Sequence, residues 1–355
     1  MVGHVSKLGP AAVFCCSLLF LPSHLQAHIS TTPSEGGTTA TMSLDALSNE
    51  LLLLVVKSLP LEVEAATYEW TSNTSCPNLK WVVNLSRTSR RLQLLVREHL
   101  YETYDNRVYT PYLFLRSIMS NANAAESVRS MKIDYMVCPS PIYDESTGWK
   151  DWEIKEAIEK KLLSLYQPSL SDCEKIEAGM KALQIPDWKE WANRCNHETK
   201  NQEPLSAVIL MHTPNIQHLE IKHGRVPWDE PKWLDVISHA AGAGTLGRVH
   251  ILSQLKSIRI HTGVSHTDRI ALKTLSPLFR LPSLTRLALV GLREPKEVAH
   301  GEPSFRWSVP LGSSSIEELL LYDCYIDAHR LAAMTATCRS LKTLRYDHIN
   351  KSYDL

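Results

Sequence analysis

Through the second half of the chain, apolar residues recur in a short fixed pattern, apolar-x-x-apolar-x-apolar. It reads Ile216-x-x-Leu219-x-Ile221, Leu255-x-x-Ile258-x-Ile260, Leu284-x-x-Leu287-x-Leu289, Ile316-x-x-Leu319-x-Leu321 and Leu341-x-x-Leu344-x-Tyr346. A weaker copy, Val128-x-x-Met131-x-Ile133, stands ahead of them. Alternate residues of a strand face one side, so the last two apolar positions point inward together while their neighbours meet solvent. The first apolar position turns in at the bend before the strand. Between the copies lie helical patterns, among them Trp233 to Ala241, Ile270 to Arg280 and Asp327 to Cys338, whose apolar residues are expected to cover the back of the strands.

Copies begin at positions 255, 284, 316 and 341, spacings of 29, 32 and 25 residues, which bracket a leucine-rich repeat with irregular loops. Each such unit leaves its faces exposed until a neighbour stacks on it. The expected fold class is therefore α/β, with residues 105–148 holding a first weak repeat and residues 204–355 the main array. Residues 149–203 break the rhythm and read as a helical insertion, with helices over Trp152 to Tyr166, Leu170 to Leu183 and, beyond Pro186, around Trp188. Cys324 falls three residues after Leu321, where such repeats place Asn or Cys to satisfy backbone groups at a turn, so a structural role is expected of it. Outward strand positions, His218, Glu220, Arg259, Arg286, Glu318 and Arg345, would line a concave mixed-charge surface suited to a protein target. Taken singly, each is also what a solvated sheet face carries. The last copy ends close to Leu355 with no polar capping unit, so the array is expected either to continue in a longer product or to be cut short in this sequence.

A different pattern occupies residues 42–104. In MSLDALSNELLLLVVKSLP, Ser48 suits a helix N-cap and Glu50 suits the positive end of the helix dipole. Leu51, Leu52, Val55 and Leu59 then recur at helical spacing, and Pro60 is expected to stop the helix. After a polar gap, Trp81, Val82 and Leu85 form a second short stripe; Leu92, Leu95, Val96 and Leu100 form a third. Three short amphipathic helices in so few residues bury little core alone and call for a partner or an attached domain.

These residues resemble an F-box, in the form found at the start of fungal proteins. The resemblance rests on Leu47-Ser48-Asn49-Glu50-Leu51, on Leu52 through Val55, and on Val83-Asn84-Leu85-Ser86-Arg87-Thr88-Ser89-Arg90-Arg91-Leu92. The family usually carries proline where Ser48 stands, and the stretch from Leu61 to Asn78 is longer than its usual first connection. The resemblance implies three helices docking on a Skp-type adaptor, which bridges to a cullin–RING ubiquitin ligase, with Leu47, Glu50, Leu51, Leu52, Val55, Leu85, Leu92 and Leu95 at the contact. It implies a cytoplasmic or nuclear, non-catalytic receptor whose repeats hold an unidentified protein target.

Residues 1–41 read as a disordered or wrongly assigned leader. Lys7, the apolar run Ala11 to Leu21 and Ala27 outline a secretory signal, and the run is too short to span a bilayer. His28 to Thr41 is rich in Ser, Thr and Gly, the composition of a linker. Translation from Met42 is the competing reading. A real signal would make the chain an exported repeat protein, an alternative that the sequons at Asn73, Asn84 and Asn350 also allow.

Composition narrows the functions further. Hydrophobic residues make up 44% and charged residues 21%, the mix of a folded soluble chain, and formal net charge is +0. No basic excess exists to neutralise phosphates, so neither nucleic acid nor membrane is an expected partner. Eight cysteines without a Cys-x-x-Cys pair, two of them (Cys15 and Cys16) in the apolar run, point to neither a zinc site nor a disulfide framework. Gly242-Ala243-Gly244-Thr245-Leu246-Gly247 matches a dinucleotide fingerprint in letters, with Asp268 about twenty residues on. A helical pattern precedes it where a strand is required, so it reads as a loop. His218 and His223 lie five apart and do not share a helix face. No nucleophile elbow, phosphate loop or kinase signature occurs, and no cofactor or metal is expected.

Overall fold

The computed structural model describes residues 47–58, 77–106, 111–135, 169–197, 202–222, 231–242, 246–262, 272–292 and 307–348. They fall into two compact units, one up to Leu100 and one from Tyr101 onward. The leader, Leu59, Pro60, the Trp152 to Tyr166 helix, Asp268 and the sequons at Asn73 and Asn350 lie outside the described residues.

The first unit holds α1 (Asn49–Lys57), α2 (Pro77–Ser86) and most of α3 (Arg90–Glu102). Ser48 caps α1 in extended conformation, its hydroxyl accepting from Leu51 N–H at 3.4 Å. The helix ends at Ser58, whose N–H donates to Leu54 C=O and whose hydroxyl donates to Val55 C=O at 2.7 Å. Ser89 caps α3 in the same way through Leu92 N–H. Val56, Val82 and Val96, one from each helix, are fully buried together, with Leu85 and Leu100 packed against them. Burying a valine contributes on the order of 1.5 kcal/mol or more, so this is a small core. A polar clamp supplements it. Arg91 Nε donates to Asn49 Oδ1 at 2.8 Å and Arg91 Nη2 to Leu47 C=O at 2.7 Å, tying the start of α3 to the start of α1.

The second unit is built on seven parallel strands lying side by side in chain order: β1 (Thr103–Asp105), β2 (Ser130–Asp134), β3 (His218–Lys222), β4 (Ser257–His261), β5 (Arg286–Val290), β6 (Glu318–Cys324) and β7 (Thr343–His348). Six coincide with the expected copies. The first, β1, carries no repeat pattern and begins two residues before the boundary expected at position 105.

Register explains why the copies superimpose. Tyr104, Met131, Leu219, Ile258, Leu287, Leu319 and Leu344 pair in one row; Ile133, Ile221, Ile260, Leu289, Leu321 and Tyr346 pair in the next. The residues that open the copies, Ile216, Leu255, Leu284 and Ile316, are fully buried at the bends. Just before each strand from β2 to β6 a single carbonyl accepts two N–H groups from the following repeat. Arg129 C=O takes Gln217 and His218, and Gln217 C=O takes Lys256 and Ser257. Lys256, Thr285 and Glu317 continue the series to β7. This ladder fixes each strand against its predecessor. One irregularity interrupts it: Asp323 adopts φ +51° where the β6–β7 register shifts between Leu321 and Cys324.

Helices fill the crossovers that parallel strands require. Between β1 and β2 lie α4 (Pro111–Ser120) and α5 (Ala122–Ser127). Between β2 and β3 lie α6 (Leu170–Ala182), α7 (Trp188–His197) and α8 (Gln202–Met211). Helix α9 (Lys232–Ala240) follows β3, and α10 (Ala328–Thr337), capped by Asp327, follows β6. The helical pattern at 270–280 is a 3-10 helix, Leu272–Arg280, because Leu272, Leu275 and Leu278 repeat every third residue and Pro277 withholds an N–H. Residues expected to form an insertion share the common core, since Ile176 and Met180 of α6 and Ala192 and Cys195 of α7 are buried with the strand leucines.

Three half-buried histidines lie along the second unit. His250 Nδ1 accepts from Leu252 N–H at 3.3 Å while its Nε2 lies 3.0 Å from Leu210 C=O; His239 Nδ1 accepts from Leu246 N–H at 2.9 Å while its Nε2 lies 3.0 Å from Val249 C=O. In both rings Nδ1 is the hydrogen-bond acceptor. His212, at the end of α8, is the third. Burial, with the like charge of His250 adding to it, pushes its pKa down to about 4.

Two predictions follow from this packing. Leu319 is fully buried, whereas Leu344, its register neighbour on β7, is 46% exposed. Leu319→Ala should cost about 2–5 kcal/mol and Leu344→Ala less than about 1 kcal/mol in urea unfolding. Equal losses would contradict the observed register. For His212, the unfolded chain takes up its proton near pH 6.5 and the folded chain only near pH 4. Its contribution is therefore complete above about pH 6.5 and declines as pH falls toward 4, by up to about 3 kcal/mol. Urea midpoints at about pH 7 and about pH 5 should differ more for the wild type than for His212→Gln.

Candidate functional site

The described residues offer two surfaces, one on each unit. On the helical unit, the residues expected at an adaptor contact separate into two groups. Leu52 and Leu92 are buried, 2% and 3% exposed, and belong to the interior. Glu50 and Leu51 are exposed, while Leu47, Val55, Leu85 and Leu95 are half-buried. The apolar face expected of Leu51, Leu52 and Val55 is thus divided: α1 turns Leu52 and Val56 inward, four residues apart, and leaves Leu51 outside. Two further leucines that the periodicity did not single out are also exposed, Leu54 at 55% and Leu94 at 52%. For Leu54 the signal was present: in the run of four consecutive leucines from Leu51, one helix face cannot bury them all. The Glu50 carboxyl is held below its ordinary pKa by its own backbone N–H and by the Ser48 hydroxyl, with Arg91 adding a favourable charge. Asn84, the acceptor of one sequon, is exposed within α2.

On the sheet unit, the six outward residues named from the sequence lie on one face in two adjacent rows. His218, Ser257, Arg286 and Glu318 share the first row; Glu220, Arg259, Ala288, Leu320 and Arg345 share the second. Strands β5 to β7 neutralise their charges one to one. Arg286 Nε lies 3.4 Å from Glu318 Oε2, Lys342 Nζ 2.7 Å from Glu317 Oε2, and Arg345 Nη2 3.0 Å from Asp347 Oδ2. Arg345 also stacks over the Tyr322 ring at 4.8 Å. Ala288 and Leu320, outward by alternation, are nonetheless buried to 5% and 6% exposure.

Strands β2 to β4 are arranged otherwise. His261 Nε2 lies 3.2 Å from Glu220 Oε1, and Lys222 Nζ lies 4.0 Å from both Glu220 Oε1 and Asp134 Oδ2. The contact with His261 is the main reason the Glu220 carboxyl drops to a pKa of about 2; Lys222 and Arg259 act in the same direction, against partial burial.

Polar groups at the strand ends are structural. Asn106 Nδ2 donates to Asp134 C=O at 3.1 Å and its Oδ1 accepts from Asp134 N–H at 2.8 Å, joining β1 to β2. The Thr262 hydroxyl donates to Val290 C=O at 3.1 Å, joining β4 to β5. Cys324 belongs to the same set. It is fully buried, and its thiol donates to Tyr322 C=O at 3.2 Å and Leu289 C=O at 3.5 Å. Of the glycine-rich fingerprint, Gly242 adopts φ +72° just past the end of α9, where its N–H donates to His239 C=O. Gly247, at φ +64°, lies against the Leu183 and Gln184 carbonyls, where a Cβ would collide at 2.5 Å or less. Both glycines therefore serve turns and close approach. Among the described residues, no cluster of His, Cys, Asp or Glu is arranged to hold a metal ion, and no helix is long and apolar enough to cross a membrane.

A scan against protein-family models finds no match to this chain, and searches of curated proteins and of solved structures find none either.

Burial pushes the Cys324 thiol up to a pKa of about 12. At about pH 8 only about one molecule in ten thousand would carry the thiolate. Iodoacetamide should leave Cys324 unmodified in the native protein while alkylating it in urea, as read by peptide mass mapping. Rapid native alkylation would refute the structural role.

Proposed function

We propose that this chain is an F-box protein with a leucine-rich repeat array, acting as the substrate receptor of a cullin–RING ubiquitin ligase in the cytoplasm or nucleus. The observation that carries the reading is a pairing of features. A three-helix unit with exposed Leu51, Leu54 and Leu94 stands directly ahead of a sheet in which each sequence copy supplies one strand. Exposed leucines four residues or fewer apart on a short helix suit recognition in the apolar groove of a partner. A sheet whose strands add one per copy, with one face buried and the other charged, suits a surface for a protein target.

In this reading the protein catalyses nothing itself. The adaptor holds the helical unit, the sheet holds the target, and the ligase gains a high effective concentration of target lysines near the charged conjugating enzyme. Leu51, Leu54 and Leu94 make the adaptor contact, flanked by Leu47, Glu50, Val55, Leu85 and Leu95, while Leu52 and Leu92 hold the helices that present them.

Co-purification with a Skp-type adaptor tests the proposal. The Leu51→Asp, Leu54→Asp double variant should bind at least about tenfold more weakly, a loss of about 1.4 kcal/mol or more, with its thermal stability unchanged. Absence of adaptor binding by the wild type, or undiminished binding by the double variant, would remove this reading.

A further inference from the structure

The outward sheet face is electrically divided, and the division identifies what it fits. On β5 to β7 every cation named above has a carboxylate of its own. On β3 and β4, Lys222 and His261 converge on the single carboxylate of Glu220, and Arg259 is its direct neighbour in the strand register. Lys256, exposed at the start of β4, adds a further cation. Among the described residues, Asp134 also lies 4.0 Å from Lys222, which it shares with Glu220. Arg259 is exposed, and the side chains of Lys222 and His261 remain 34% and 25% accessible. On β3, β4 and the residue ahead of β4, the cations Lys222, Arg259 and Lys256 thus outnumber the carboxylate of Glu220, although the chain as a whole has a formal net charge of +0.

The geometry points to an acidic protein segment, rich in Asp and Glu, as the occupant of the β2–β4 part of this face, its carboxylates pairing with Arg259, Lys222 and Lys256. The inference rests on the reading of the outward sheet face as the target surface and names the chemistry of that target. Three features favour a peptide over a nucleic acid. Neighbouring strands stand about 4.8 Å apart, so cations on β3 and β4 match side-chain carboxylates on one extended segment crossing them. Glu220 and Asp134, interleaved with the cations, would repel a continuous phosphate backbone but leave room for separated carboxylates. In the second row Ala288 and Leu320 separate Arg259 from Arg345, whose charge Asp347 takes up, so the charged footprint around Arg259 is short.

The test uses the full chain and a short fluorescein-labelled peptide of alternating Glu and Gly, followed by anisotropy at low ionic strength. A Gln–Gly peptide is the uncharged control. The wild type should bind the Glu peptide and not the control. Arg259→Glu should weaken binding at least about tenfold and Arg259→Gln by less, whereas Arg286→Glu, on the neutralised half, should change it less than about twofold. Absence of binding to the Glu peptide, equal loss from Arg259→Glu and Arg286→Glu, or displacement of the peptide by a lower concentration of single-stranded RNA would each overturn the inference. The Leu51→Asp, Leu54→Asp protein separates the two proposals: it should lose the adaptor and bind the peptide as the wild type does. Failure of adaptor binding therefore leaves the peptide result standing, and the reverse holds for Arg259→Glu.

Discussion

Backbone pairing between successive parallel strands is the constraint on which the rest of the sheet unit depends. The carbonyl ahead of each strand from β2 to β6 accepts two N–H groups from the next repeat, which leaves no freedom to slide by one residue. Such a slip would turn every inward leucine to the opposite face. With register fixed, the inward rows stack into a single core and the outward rows bring charges from distant sequence positions side by side. Asn106, Thr262 and Cys324 serve the same constraint at the far ends of the strands, each donating to the backbone of an adjacent strand.

The helical unit works with less. Three valines, Leu52, Leu92 and one arginine clamp hold it, and a core of that size leaves several leucines outside. Its exposed apolar surface and its modest interior are one fact seen from two sides: in so short a unit, leucines beyond the number a small core can bury must face outward. The proposed adaptor contact makes use of that surplus. The electrostatic division of the sheet lies in the strand sequences, since β6 and β7 carry Glu318, Asp323 and Asp347 whereas β3 and β4 carry Glu220 alone.

Much of this was legible in the residues. The spacing of the apolar copies located β2 to β7, Ser48 located the start of α1, and the position of Cys324 announced a buried thiol at a turn. The helical patterns at Trp233 to Ala241 and Asp327 to Cys338 correspond to α9 and α10 within a residue or two, and the expectation at Leu170 to Leu183 corresponds to α6. These succeed because period and capping are local properties, set by steric and hydrogen-bonding rules within one turn or one strand. The candidate surface residues were nameable for the same reason, since alternation alone assigns a strand residue to a face.

The sequence by itself located β2 to β7, the helices expected above and the strand residues that face outward, because those depend on neighbours within a few positions. Tertiary structure alone decided four further matters. It made β1 a member of the sheet without any repeat pattern, and it joined α6 and α7 to the common core. It divided the leucines of α1 and α3 between interior and surface, placing Leu52 and Leu92 inside and Leu51, Leu54 and Leu94 outside. It also set Lys222, Arg259 and His261 around one glutamate. Each of these depends on which residues become neighbours across long separations in the chain, and neither periodicity nor composition carries that information.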